Sequence, residues 1–249
     1  MLPALHIHDN PAVLFEATAR RIIELGNEAI TQRGAFHIAL AGGNTPRALY
    51  RCLGAPPIRQ QLDWTRVHLW FSDERCVPPD HADSNYHMAI EALLERLPIE
   101  PDQFHRMEGE LVPEIAAQRY SNALNALPHN GDDVPIFDLI LLGLGADGHI
   151  ASLFPDTPAL ETFQSPVVAL HTARLQSWRL TLTLPVLNHA RHLLLVVSGE
   201  KKADVLRHIF SETPEARPLP VQLLKPAEGA LEWYIDRDAA RYLPGGATQ

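Results

Sequence analysis

Apolar and polar positions along the chain alternate between two periods. From Pro11 to Arg33, Leu14, Thr18, Ile22, Leu25 and Ala29 recur at three- and four-residue spacing, the pattern of a helix with one buried face. Residues 35–41 and 66–72 are short apolar runs that predict strands. Thr45-Pro46 predicts a helix start between them, with Thr45 as N-cap and Pro46 in the first helical position. Ser84 predicts the cap of a helix reaching about residue 96, and a further helix is expected over 113–127. Residues 137–142 form a continuous apolar run, typical of a strand buried on both faces. Over 179–184, Arg179, Thr181 and Thr183 alternate with Leu180, Leu182 and Leu184, which predicts a strand with one wet face. A buried strand over 192–198, a helix over 200–210 and two short strands over 220–224 and 231–235 complete the pattern. Strands alternating with helices predict an α/β fold: a mostly parallel sheet with helices on both faces. Ligands of such sheets bind beyond the strands' carboxyl ends.

Composition narrows the picture. At 249 residues and 46% hydrophobic, the chain can bury a large core without staples. No composition shift marks an internal boundary, so one domain over 1–249 is expected, with a short flexible tail at 244–249. Cys52 and Cys76 are the only cysteines, which excludes a disulfide framework and a CxxC site and fits a reducing compartment. There is no signal-peptide pattern and no apolar run long enough to span a bilayer, so a cytoplasmic location and no membrane partner are expected. The net charge of −9 argues against nonspecific nucleic-acid binding. An anionic substrate would then need locally concentrated cations and backbone N–H groups.

Four segments following predicted strands carry candidate chemistry. In Ala41-Gly42-Gly43-Asn44-Thr45-Pro46, paired glycines before a helix let the backbone approach an anion, which the helix's free N–H groups and dipole favour. The Walker ending GK[ST] is absent. In Ser72-Asp73-Glu74-Arg75, Asp73 suits proton chemistry and Arg75 a phosphate, whereas Glu74 reads as a surface ion-pair residue. The segment Gly143-Leu144-Gly145-Ala146-Asp147-Gly148-His149 contains GxGxxG but lacks the later acidic residue of a dinucleotide site. It reads instead as a glycine-rich substrate loop presenting His149 beside Asp147, and an imidazole suits a general base near neutral pH. Lys201 and Lys202 follow Gly199 at a helix start, where an ammonium can reach a phosphate. His6, His8, His68, His81, His87, His189 and His192 show no metal-ligand spacing and read as structural or surface residues.

Together, AGGNTPRALY, WFSDERCVPPDHADSNY, DLILLGLGADGHIASLFP, RLTLTLPVLNHARHLLLVVSGEKKADVL and, weakly, LEWYIDRDAA resemble the glucosamine-6-phosphate isomerase/6-phosphogluconolactonase family, on its lactonase branch. The resemblance implies a modified Rossmann-like fold and hydrolysis of 6-phospho-D-glucono-1,5-lactone to 6-phosphogluconate, with no metal or organic cofactor. It implies a phosphate loop at Gly42, Gly43, Asn44 and Thr45, with Arg75 and Lys202 as phosphate cations and His149 as base. Asn44 stands where the family commonly has serine. The oxyanion donors are expected to be backbone N–H groups near Gly145 to Gly148 or a nearby cation. The partner of His149 is expected to be Asp147, Asp73 or water alone. A monomer or small homo-oligomer is expected. Deaminases of the same fold carry a glutamate soon after the histidine loop, where this chain reads Ser152-Leu153-Phe154-Pro155. A non-catalytic sugar-phosphate sensor would usually bring a DNA-binding helix-turn-helix, and the chain instead starts directly with the α/β pattern.

Overall fold

The computed structural model describes residues 4–129, 131, 133–172, 176–211 and 217–243; the expected tail at 244–249 lies outside them. Among the described residues, nine strands run in chain order: β1 (Ala4–His8), β2 (Phe36–Leu40), β3 (Val67–Phe71), β4 (Asp73–Arg75), β5 (Leu139–Leu142), β6 (Val167–Thr172), β7 (Ser177–Leu182), β8 (His192–Val197) and β9 (Ala230–Asp236). The α-helices are α1 (Pro11–Arg33), α2 (Asn44–Leu53), α3 (Asn85–Ala92), α4 (Pro113–Ala123), α5 (Leu184–His189), α6 (Ala203–Ile209) and α7 (Arg237–Ala240).

Six strands form a parallel sheet in the order β1-β9-β8-β5-β2-β3. The period-two alternation of its strands builds two cores. Phe36, Ile38, Leu40, Leu139, Leu141, Leu194 and Val196 face the side covered by α1, α2 and α3. Ala39, Ile140, Leu142, Leu193, Leu195 and Val197 face the side with α4, α5, α6 and α7. Both faces are therefore apolar, which explains the continuous hydrophobic run of β5. After β3 the chain returns to the other side of β2 to lay down β5, then moves outward through β8 and β9. The crevice between β2 and β5 is thus the switch point of the sheet, where such folds receive ligands.

A second sheet, ordered β4-β7-β6, is antiparallel and lies beyond the end of β3. The sequence pattern located β7 but not β4 or β6, because three residues and a mixed six-residue stretch carry little periodicity. The expected wet face of β7 is not wet. Thr181 and Thr183 are fully buried. Thr181 accepts the Ser152 N–H at 3.2 Å, and the Thr183 hydroxyl donates to the Ser165 carbonyl at 2.8 Å. Polar residues fill this face because a loop bearing polar groups covers it.

α1 has the predicted bounds, and all five predicted face residues are buried. Asn10 accepts the Val13 N–H at 3.1 Å and Gly34 closes the last turn onto the Ile30 carbonyl. α3 begins after Ser84, whose hydroxyl accepts the His87 N–H. The predicted start of α2 is corrected: Gly43 is the N-cap, so Asn44, Thr45 and Pro46 occupy its first turn. The strand expected over 220–224 is a single 3-10 turn, Pro220–Leu223. Pro220 supplies no ladder N–H, and the Gln222 side chain accepts the Leu219 N–H at 2.8 Å, which closes a turn instead. That turn has a use: the Val221 N–H donates to the Gly148 carbonyl and braces the histidine loop.

Candidate active site

A pocket of about 450 Å³ opens at the carboxyl ends of β2, β5 and β8. Its wall carries Gly42, Gly43, Asn44, Thr45, Asp73, Arg75, Gly145, His149, Arg179 and Lys202. Of the residues predicted from sequence, Asp147, Gly148 and Lys201 are off this wall; Asp147 stands directly behind His149.

The loop after β2 is shaped for an anion. Gly43 caps α2 at φ +100 with no side-chain hydrogen bond. The N–H groups of Asn44 and Thr45, residues of the pocket wall, are therefore left without a side-chain cap, at the positive end of a ten-residue helix. Gly42 allows close approach of another element: a Cβ there would stand 1.9 Å from the Asn85 Oδ1. Asn85 in turn donates to the Asp73 carbonyl at 2.9 Å and carboxylate at 3.1 Å.

The segment after β3 is where the sequence reading needs most correction. Glu74 is not a surface residue. It is 2% exposed and accepts the N–H groups of Arg75, Asn85 and Tyr86 at 2.7–2.8 Å and the Ser84 hydroxyl at 3.1 Å. Burial pushes its carboxyl above the ordinary value, opposed by those backbone donors. It pins the start of α3 onto β4, and so fixes its neighbours Asp73 and Arg75. Asp73 is 7% exposed, with Oδ2 taking the Ser152 hydroxyl at 2.6 Å. The two carboxylates are thus both anchors, and neither is bonded to His149.

Arg75 stands directly opposite Arg179 in the β4–β7 register. Like charges opposite one another on paired strands repel. Burial, reinforced by Arg75, lowers the Arg179 guanidinium below its ordinary value. Arg75 donates to the Asp83 carbonyl, while its buried Nε has no hydrogen-bond partner among the described residues. Two opposed guanidiniums on a pocket wall, one with an unused donor, suit a bound dianion. Arg179 escaped the sequence reading. Its signal was an arginine heading the polar face that alternates with leucines along this strand.

Lys202 approaches from the loop after β8. Its ammonium donates to the Leu144 carbonyl at 2.6 Å, while burial lowers it and the Asp147 charge raises it, for a net fall. Lys201 is exposed and lies off the pocket wall.

The loop after β5 folds back so that the Gly145 N–H reaches the His149 carbonyl at 2.8 Å and the Gly148 N–H reaches the Gly145 carbonyl at 3.1 Å. Those two amides are consumed inside the turn, so neither serves as an oxyanion donor. The Asp147 Oδ1 lies 2.5 Å from the His149 Nδ1 and also accepts the His149 N–H at 3.3 Å. Burial would raise the Asp147 carboxyl, but the hydrogen bonds and charge of His149 outweigh it and hold it below the ordinary value. With an ionised carboxylate on Nδ1, the Nδ1 carries the proton and Nε2 carries a lone pair. Phe154 rests on the imidazole with ring centroids 4.4 Å apart. Gly145 is required by contact: a Cβ there would stand 2.0 Å from the His149 Nδ1.

Among the described residues, no group of three or more His, Cys, Asp or Glu side chains is placed to hold a metal ion, and no helix is long and apolar enough to cross a membrane. The GxGxxG run has a helix-free turn after it, unlike a dinucleotide fingerprint, in which a helix N-terminus receives the pyrophosphate.

Fold and pocket define an α/β protein that sets an imidazole base beside an anion cradle. Residues 9–233 match the family of glucosamine-6-phosphate isomerases/6-phosphogluconolactonase. The chain is 43% identical to the 6-phosphogluconolactonase of Homo sapiens over 213 residues, 85% of this chain and 82% of that protein. It is 38% identical to the 6-phosphogluconolactonase of Synechocystis over 245 residues, 98% of this chain and 99% of the other. The solved 6-phosphogluconolactonase of Trypanosoma brucei superposes with a TM-score of 0.84 at 30% identity, over 98% of this chain and 99% of that one. The chain belongs to the glucosamine-6-phosphate isomerase/6-phosphogluconolactonase family.

Proposed function

We infer that this protein is an enzyme that hydrolyses 6-phospho-D-glucono-1,5-lactone to 6-phospho-D-gluconate, the second step of the oxidative pentose phosphate pathway. The observation that carries the mechanism is the Asp147–His149 pair at 2.5 Å, which holds the imidazole on the wall shared with Arg75, Arg179 and Lys202. The phosphate docks on the N–H groups and side chains of Asn44 and Thr45, on Arg75 and on Lys202, with Arg179 completing the charge around it. Binding energy from this remote group positions the lactone carbonyl. His149 Nε2 takes a proton from water as the oxygen attacks C1. With the Gly145 and Gly148 amides committed, the charge that develops on the carbonyl oxygen is met by the remaining N–H groups of that loop, such as that of Ala146 on the pocket wall, or by a nearby cation. The C1–ring oxygen bond then breaks, and the imidazolium returns its proton to that oxygen. Asp147 holds the tautomer and stabilises the imidazolium; Asp73, fixed by Ser152 and Asn85, orients sugar hydroxyls or water.

The deaminase reading loses support at Ser152–Pro155, where no carboxylate follows the histidine loop and Ser152 is bonded to Asp73. The site draws on both sheets, which favours one working domain, and a cytoplasmic enzyme without membrane or nucleic-acid partners fits the chain's charge. His149→Ala tests the mechanism. Lactonase turnover is expected to fall by about 10²–10⁴-fold with 6-phosphogluconate binding retained. Unchanged turnover would remove His149 from the reaction.

A further inference from the structure

The weakest of the matching sequence segments, LEWYIDRDAA, contains Asp236, which none of the steps above uses. It ends β9 and has no exposed surface. A buried carboxylate is costly unless its oxygens are well bonded. Here both oxygens accept the Gly199 N–H at 3.0 Å, Oδ1 also accepts the Ala239 N–H at 2.8 Å, and Oδ2 takes the Ser198 hydroxyl at 2.5 Å. These partners are all uncharged donors. The Ala239 bond caps α7, which an asparagine would do as well. The remaining bonds go to the loop after β8, whose next residues lead to the pocket.

Gly199 sits at φ +92, and its carbonyl accepts the Lys202 N–H at 3.0 Å, closing a single turn over Glu200–Lys202. A turn of three residues has little stability of its own. What orients it is the clamp at its first residue, supported by the exposed Arg241–Glu200 ion pair from the end of α7. From that turn the Lys202 side chain reaches across to the Leu144 carbonyl. We propose that Asp236 is a positioning residue for substrate binding: by clamping Ser198 and Gly199 it sets the turn that delivers the Lys202 ammonium to the phosphate. This rests on the phosphate role assigned to Lys202 above.

Asp236→Asn isolates the clamp. The amide oxygen at the Oδ1 position can still cap α7 and accept the Gly199 N–H, but an NH₂ group replaces the oxygen that takes the Ser198 hydroxyl and shares the Gly199 N–H. The decisive measurement is a cycle of Asp236→Asn, Lys202→Ala and the double variant. Binding of 6-phosphogluconate is read by calorimetry, and KM and kcat are read with the phosphorylated lactone and with unphosphorylated glucono-1,5-lactone. Asp236→Asn is expected to weaken 6-phosphogluconate binding and raise KM by about five- to twentyfold, with kcat within about twofold. The unphosphorylated lactone should be indifferent to it. In the Lys202→Ala background, adding Asp236→Asn should change the binding constant less than about twofold, because the group it positions is gone. Losses that multiply in the double variant would overturn the proposal, since Asp236 would then act on something other than Lys202. If Lys202→Ala binds 6-phosphogluconate as tightly as wild type, the phosphate role beneath the proposal fails, and the proposal with it. Should Asp236→Asn not fold, Ser198→Ala, which removes one bond of the clamp, is read against Lys202→Ala by the same rule.

Discussion

Replacing Asp147 by asparagine separates two duties of its carboxylate. An asparagine can keep its amide oxygen at the Oδ1 position, accepting from both His149 Nδ1–H and His149 N–H, so ring orientation and tautomer survive. What it loses is the charge that favours the imidazolium formed as water attacks. Hydrogen bonds to charged groups are worth about 1.5–3 kcal/mol against about 0.5–1.5 for neutral ones, a difference of about 1–1.5 kcal/mol, or about five- to thirteenfold in rate. The side chains of His149 and Asp147 are 31% and 23% exposed, so solvent screening places the effect toward the lower figure. Asp147→Asn is therefore expected to lower kcat about fivefold with KM little changed. Asp147→Ala also frees the ring and should lose about 10²-fold, approaching His149→Ala. Proton release on lactone opening, followed continuously in weak buffer and corrected for spontaneous hydrolysis, measures all three. If both Asp147 variants turn over within twofold of wild type, the carboxylate neither orients nor stabilises the base. If Asp147→Asn is as damaging as His149→Ala, Asp147 takes part in proton transfer itself and the mechanism must be redrawn.

Two further outcomes follow from geometry. Gly145→Ala places a methyl group 2.0 Å from His149 Nδ1 and 2.6 Å from Asp147 Oδ1, so the pair must separate; kcat should fall by about 10²-fold with a nearly unchanged melting temperature, and retained activity would refute the contact. At the opposite end of the sheet, His68 stacks with both His37 and His105, and His105 stacks on Trp70 with ring centroids 3.7 Å apart; burial, with repulsion between these imidazoles, pulls His37 and His105 down to about 4. Folded values below the unfolded 6.5 mean that the unfolded chain takes protons first, so this stability is full above about pH 6.5 and drains as pH falls toward 4. The loss is about 2–3 kcal/mol in total after solvent screening. His105→Phe keeps a ring on Trp70, and the drop in urea midpoint from pH 7 to pH 5 should be smaller than in wild type; equal drops would refute the role of the stack.

Five strands of the parallel sheet were legible because they are largely buried on both faces, and its helices because they are buried on one, patterns that periodicity reports directly; the partly exposed edge strand β1 carries no such pattern and was not read. Residues 220–224 misled because an apolar run containing proline reads the same whether it joins a ladder or closes a turn. The pocket's glycine loops, Arg75, His149 and Lys202 stood out because each directly follows an apolar strand. Glu74 and Arg179 did not, for a common reason: what makes them matter is a long-range pairing. Glu74 is buried only because α3 folds back onto β4, and Arg179 meets Arg75 only through the β4–β7 register. No local spacing encodes either. Asp236 is a similar case, since its bonds to Ser198 and Gly199 cross two strands adjacent in the sheet but far apart in sequence.

The strand order has a consequence for how the molecule is made. Among the described residues β1 pairs only with β9, Ala4 meeting Glu232, so this strand has no sheet partner until more than 200 further residues have been made. The central strands β2, β3 and β5 can associate in the meantime, exposing the glycine loops and His149. The arm bearing Lys202 and its Asp236 anchor come only with the last two parallel strands. A nascent or C-terminally truncated chain thus displays an unfinished cradle and an open sheet edge, and recruiting a chaperone to that edge would protect the protein during synthesis.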